Sequence, residues 1–383
     1  MTEAPLKGVR VLELARILAG PWAGQVLADL GAQVIKVEAP EGDDTRRWGP
    51  PFIEREGDRA AAYFHATNRG KRSVTIDFRT PEGQEQVRAL ARDADVVIEN
   101  FKVGGLRKYG LDYDSLREIN PRLVYCSITG FGQDGPYSDR AGYDFLVQGM
   151  AGWMDLTGDP AGEPQKVGIA FADIFTGLYA VIGIQAALAA RERTGRGQMV
   201  DMALLDCSVG VLANQGMNYL ATEKPPRRLG NAHPNIAPYE VLPTGTDPFI
   251  LAVGNDAQFG RLCGVLGLSG VADDPRFVSN ATRVANRTAL RDILVSALAS
   301  WSRDDLLAAL EKATVPAGPI NSLDQVFADP QVIARGMRID ADGIPGLRLP
   351  IRFSDSSLAT ARPSPVLGEG DQTPAEALWA IGE

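Results

Sequence analysis

Two histidines, His65 and His233, and three cysteines, Cys126, Cys207 and Cys263, are all that 383 residues offer toward metal or thiol chemistry. The cysteines are widely spaced, odd in number and form no CxxC pair, which argues against a Cys/His metal site. Three buried apolar thiols in a reducing compartment are the expectation. With so little histidine and no GxSxG, no Ser–His–Asp triad competes well. A GxGxxG is missing too. The stretch "ELARILAGPWAG" sets Arg-Ile-Leu where a pyrophosphate needs bare backbone, although Glu38 falls about where a ribose-binding acid would sit. Basic residues are in deficit, with 39 Lys and Arg against 48 Asp and Glu and a net charge of −9, so nothing favours nucleic acid. The opening "MTEAPLKGVRVLEL" has no basic segment followed by an apolar stretch and cleavage site. The most apolar run, Ile174 to Ala190, is 17 residues interrupted by Thr176, Gly177, Gly183 and Gln185. It falls short of a membrane span and reads as a buried core helix. A cytoplasmic protein with no membrane partner and no metal is expected.

What is present is an ordinary globular composition, 45% hydrophobic and 23% charged. The first 130 residues alternate between strand-like and helix-like segments. Strands are predicted at 9–14, 33–39, 72–78, 95–101 and 122–132, with helices at 22–32 and 80–94, the latter opened by Thr80 and Pro81. This predicts an α/β fold: a parallel sheet wound with helices on both faces, its ligand rim at the strand carboxyl ends. A charged, proline-containing linker, "TEKPPRR", leads to a smaller α+β unit with a hairpin in "YEVLPTGTDPFILAVG" and two amphipathic helices. Leu290, Ile293, Leu294 and Leu298 keep helical spacing, and Ser302 with Asp305 resembles a capping box. The predicted domains are 1–221, 222–328 and a returning segment 329–383, in which "LRLPIRFSDS" is expected to rejoin the first sheet.

Two stretches carry candidate chemistry. "NRGKRS" (68–73) reads either as a solvated basic turn or as a phosphate grip, with Lys108 adding a positive group from the same rim. Asp173 stands at the head of the long apolar run. It either caps a helix or, kept ionised by the helix terminus, serves as a carboxylate nucleophile.

Six stretches together resemble the family III CoA-transferases: "GVRVLELARILAGPWAGQVLADLGAQVIKVEAPEGDDTRRWGPPF", "NRGKRSVTIDF", "VVIENF", "SITGFGQDGPYSDRAGYDFLVQ", "GIAFADIFTGLYA" and "RTGRGQMVDMALLD". "RLGNAHPNIAPYEVL" and "VPAGPINSLDQVFADPQV" extend the likeness through the small domain. The resemblance implies a Rossmann-like large domain, a smaller α+β domain and an interlocked homodimer. It implies CoA transfer between carboxylic acids, with acyl-CoA as substrate and no permanent cofactor, through Asp173 as covalent carrier. CoA contacts are implied at Ala19, Asn68, Lys71, Arg72, Asn100, Phe101, Lys108 and Tyr143. Oxyanion donors are sought in "GNAHPN" (230–235), which places His233 beside the substrate. The likeness is strongest to the branch using succinyl-CoA and glutarate, so Arg16 and Arg46 are candidate clamps for a second carboxylate. Relatives often carry an arginine shortly after the acid ending the second strand. Here Glu38-Ala39-Pro40 stands instead, which puts the adenine grip there in doubt. The racemase branch pairs its aspartate with a histidine in "GHD", whereas this chain reads Gly142-Tyr143-Asp144. Tyrosine, with an ordinary pKa near ~10, is a poor base at neutral pH, so transfer is favoured. A racemase or epimerase of the same fold, or a catalytically silent CoA-binding protein, is the alternative.

Overall fold

A computed structural model of the chain describes residues 3–380. The chain divides into two compact units. The larger holds Met1–Trp153, Lys166–Lys224 and Pro330–Glu383; the smaller holds Met154–Gln165 and Pro225–Asp329.

The larger unit is built on six parallel strands: β1 (Arg10–Glu13), β2 (Gln33–Glu38), β3 (Lys71–Thr75), β4 (Val96–Glu99), β5 (Val124–Thr129) and β6 (Met199–Ala203). Their spatial order is 3-2-1-4-5-6, the doubly wound order of dinucleotide-binding folds. Register pairs Val11 with Val34 on one side and with Val96 on the other. Helices cover both faces, so β4 and β5 are buried along their whole length and read as continuous apolar runs. Alternate residues still divide between two cores. Val96 and Ile98 pack with α1 (Ala19–Asp29), while Val97 packs with Val87 and Leu90 of the helix Pro81–Arg92. That second helix begins as its sequence demands, with Thr80 Oγ1 accepting from the Gly83 N–H at 3.0 Å and Pro81 in the first turn.

The long apolar run forms α3 (Phe171–Thr194), 24 residues and the one described helix long and apolar enough to cross a membrane by length and composition. It is not buried on all sides. Thr176, Gly177, Ala180, Ile184 and Ala187 pack inward, but Ile182 is 61% exposed, with Leu178 and Tyr179 beside it on the surface. "LRLPIRFSDS" does not rejoin the sheet. Leu347 ends a hairpin of Arg338–Ala341 with Ile344–Leu347. The tail beyond runs along the outer edge of β3 instead: Gly370 N–H donates to the Ser73 carbonyl at 2.9 Å, and Thr75 N–H to Asp371 at 2.7 Å.

The smaller unit carries an antiparallel sheet of Tyr239–Leu242, Phe249–Ala252 and Ala317–Pro319. Leu290, Leu294 and Leu298 of the helix Arg287–Leu298 are buried against it. The next helix starts at Ser302, whose hydroxyl accepts from the Asp305 N–H and donates to its carboxylate.

Candidate active site

In an open sheet of this order the loops after β1 and β4 part in opposite directions, leaving a crevice at the strand carboxyl ends. A cavity of about 270 Å³ lies there, lined by Arg16, Ile17, Leu18 and Ala19 after β1, by Asn100–Val103 after β4, and by Arg140–Asp144 and Asp173. Two close approaches assemble it. A Cβ on Gly177 would lie 2.7 Å from the Ala19 carbonyl oxygen, so only glycine lets α3 approach the first turn of α1 this closely. A Cβ on Gly142 would lie 2.2 Å from the Gly130 Cα, and this contact of two bare backbones brings the loop before α2 (Asp144–Met150) onto the end of β5.

The wall after β1 is held in a strained form. Ile17, a β-branched residue, has φ of 73°. Its N–H donates to the Asp43 carboxylate at 3.2 Å. Asn100 satisfies both backbone groups of Arg16, accepting from its N–H at 2.9 Å and donating to its carbonyl at 2.6 Å. Beneath, wholly buried Lys36 donates to the Ala15 carbonyl at 2.8 Å and pairs with Asp43 and Glu13 at 3.0 and 3.1 Å. Burial works against the Asp43 anion, but the Lys36 charge and the bonds from Thr45 prevail and draw its carboxyl down to about 2.

Asp173 is the third residue of α3, not its cap; Ala170 occupies the cap position. No described residue hydrogen-bonds its carboxylate. The helix terminus does not keep it an ordinary acid. Burial, and then the neighbouring Asp144 charge, push its carboxyl up to about 7. A half-buried carboxylate without hydrogen-bond donors, facing a cleft, is a candidate reactive group and not a helix cap. Asp144, which sequence reasoning passed over, supplies the missing cap from outside the helix: its Oδ1 accepts from the Ala172 N–H at 2.9 Å.

The other expected site residues divide. Arg16, Ala19, Asn100, Phe101 and Tyr143 share the cavity with Asp173. The Asn100 amide is spent on the Arg16 backbone, and the Arg16 guanidinium lies 5.5 Å from the Phe101 ring centroid and 3.4 Å from Asp44. Tyr143 stands 68% exposed at the mouth.

The "NRGKRS" stretch does not line the cavity. The Lys71 ammonium, fully buried, gives its three donors to Glu13, the Pro21 carbonyl and Asn68, and burial pushes it down to about 8. The Asn68 amide donates to the Phe64 carbonyl and to Thr67. Arg72 donates to the Leu378 carbonyl. Neither Asn68 nor Lys71 has a donor left for a phosphate. Arg46 is likewise no clamp. It pairs through two nitrogens with Glu38 at 2.7 and 2.8 Å, pairs with Asp58 at 2.8 Å, and stacks on Phe64. Glu38 is consumed by Arg46, Ser73 and the Asp43 N–H, which leaves no acid for a ribose. Lys108 sits on the exposed turn Arg107–Tyr109, over the Tyr109 ring, and does not line the cavity. His233 belongs to the smaller unit, where its Nδ1 accepts from the Asn235 N–H and its ring packs on Tyr239. Lys102 and Arg140 line the cavity without having been expected there. Among the described residues no cluster of His, Cys, Asp and Glu is arranged to hold a metal ion.

A doubly wound sheet with a carboxylate free of hydrogen bonds at its switch point, and with no glycine fingerprint, frames a candidate catalytic crevice rather than a dinucleotide site. The chain belongs to CoA-transferase family III, whose family model matches residues 6–371. It is 61% identical to the succinate–glutarate CoA-transferase of Agrobacterium fabrum over 95% of this chain and 93% of that protein. The human succinyl-CoA:glutarate CoA-transferase is 40% identical over 95% of this chain and 84% of its own length. Among solved structures, a CAIB/BAIF family protein from Brucella suis superposes with a TM-score of 0.89 at 64% identity, covering 99% of this chain and all 100% of that one. The protein is a CoA-transferase.

Proposed function

We propose that this chain moves CoA from succinyl-CoA to glutarate, with Asp173 as the covalent carrier. The observation that carries the reading is the placement of Asp173: a carboxylate with no hydrogen bond, raised toward neutrality, in the crevice where the fold binds ligands. An Asp173 oxygen attacks the succinyl carbonyl carbon, the carbon–sulfur bond breaks, and CoA leaves as thiolate. The thiolate attacks Cγ of Asp173 in the resulting anhydride and expels succinate, leaving an aspartyl-CoA thioester. Glutarate attacks that same carbon and releases the thiolate, which takes the glutaryl group and restores the carboxylate. Each bond broken resembles the bond formed, so no step needs an external energy source.

Around this centre Ala19, Phe101 and Tyr143 would flank the thiol end of CoA. Arg16, with Lys102 and Arg140 nearby, would receive the far carboxylate of the acid. The apolar surface stripe of Leu178, Tyr179 and Ile182 on α3 supports a homodimer that buries it. The test is a panel of carboxylic acids offered with succinyl-CoA, the CoA products being read by mass spectrometry. Glutaryl-CoA as the leading product, lost in Asp173→Ala, is expected. Full turnover by Asp173→Ala would remove the carrier, and a panel in which glutarate is inert would remove the acceptor.

A further inference from the structure

Asp144 takes part in no step above, yet it is tied to the turn that carries Asp173 and its charge bears on the Asp173 carboxyl. Its Oδ1 accepts at 2.9 Å from the N–H of Ala172, the residue immediately before Asp173. Its Oδ2 accepts from Gln148 Nε2 at 2.8 Å, and the Gln148 Oε1 accepts in turn from the Val167 N–H at 3.0 Å. The segment 167–172 is therefore fastened at both ends to α2. Both acids line the cavity, and no described lysine or arginine pairs with Asp144.

We infer that Asp144 is a positioning residue for the nucleophile, fixing the first turn of α3 while setting against the Asp173 carboxylate a like charge whose repulsion ends when Asp173 is acylated. The inference rests on the reading of Asp173 as covalent carrier. When the Asp173 oxygen bonds to the acyl carbon, its negative charge leaves with the CoA sulfur, and no proton moves. The anhydride and the thioester are both neutral at that position. Repulsion from Asp144 is thus felt by the free carboxylate and not by either covalent state, which favours the loaded enzyme.

Other groups face Asp173 from the neighbouring elements. Tyr63, on the helix Ala62–Asn68, has its hydroxyl pushed up to about 12 by burial and then by the charges of Asp173, Asp144 and Asp43. Arg16 on the β1 loop, Lys102 on the β4 loop and Arg140 after β5 stand on the cavity walls. Arg16 is paired with Asp44, and Arg140 lies 3.8 Å from the Tyr137 ring centroid. Asp144 is the acid whose charge bears on the Asp173 carboxyl.

The experiment follows the Asp173-bound CoA thioester by intact-protein mass spectrometry after mixing with succinyl-CoA, and the transfer rate, both from pH 5 to 9. Asp144→Asn keeps an oxygen for Ala172 and removes the charge. It is expected to lower the acid limb of the rate profile by about half a pH unit or more and to reduce the loaded fraction severalfold. Asp144→Glu keeps the charge and is expected to hold the wild-type limb with a lower kcat. An Asn variant with the wild-type limb and loaded fraction would overturn the inference, leaving Asp144 a structural cap. A wild-type enzyme that never carries CoA on Asp173 would instead overturn the covalent reading, so the two failures are told apart.

Discussion

Replacing Asp173 by asparagine should destroy activity and raise stability. The isosteric amide cannot attack the acyl carbon, but it also removes a charge from a site that disfavours charge. The folded protein holds the Asp173 proton up to about pH 7, whereas an ordinary aspartate releases it near 3.8. A group with a raised folded pKa lends stability that is whole below its unfolded pKa and is lost as pH rises through its folded one. At 1.36 kcal/mol per pH unit, the ionised carboxylate costs the folded state up to about 4 kcal/mol above pH 7, with water at the cavity mouth screening part of this. The stability advantage of Asp173→Asn should therefore be small near pH 4, grow to about pH 7 and level off beyond. Denaturant unfolding of both proteins at pH 4.5, 6 and 8.5 (roughly the ends and middle of that window) measures it, with CoA transfer assayed in parallel. A variant no more stable than wild type at the alkaline end, or an advantage indifferent to pH, would refute the claim that this carboxylate is desolvated.

Four further outcomes are expected. If Asp173 is the carrier as proposed, the transfer rate of the wild type should fall about tenfold per pH unit below about 7, as its carboxylate takes up a proton, which a pH profile of kcat reads directly. Arg46→Ala strands buried Glu38, so it should destabilise by about 3 kcal/mol or more while leaving the KM for glutarate unmoved; unfolding curves and acceptor kinetics separate the two. Gly142→Val forces a side chain into the Gly130 backbone and should abolish transfer while the helical circular dichroism signal persists. Asp43, whose carboxyl is drawn down to about 2, contributes stability above pH 3.8 that is lost as pH falls through 2. Asp43→Asn should accordingly flatten the acid side of the stability profile, checked by melting between pH 2 and 5.

The first half of the sheet was legible because strands covered on both faces must be continuous apolar runs, and β4 and β5 have no other way to be buried. Asp173 was legible because an acid heading an apolar run invites a question. Two buried cations misled. Lys71 and Arg46 look like surface cations, and nothing local reveals that Glu13 and Glu38 wait for them inside. Ion pairing across 58 residues is a property of the fold, not of a window of sequence. Asp144 was passed over for the same reason, since the peptide it caps lies 28 residues on. The one local trace of its placement is the pair Gly130 and Gly142, small residues where two loops cross. The apolar run in α3 was read as fully enclosed because composition does not say which side a neighbour occupies.

The tail that lies along β3 has a practical consequence. It occupies the hydrogen-bonding groups of the outermost strand through Gly370 and Asp371, so the sheet presents no open margin on that side. A shortened chain ending before Gly370 would keep every residue of the catalytic crevice, yet it would expose a ready template for strand addition by other molecules. Such a truncation should be lost to precipitation rather than to failed chemistry.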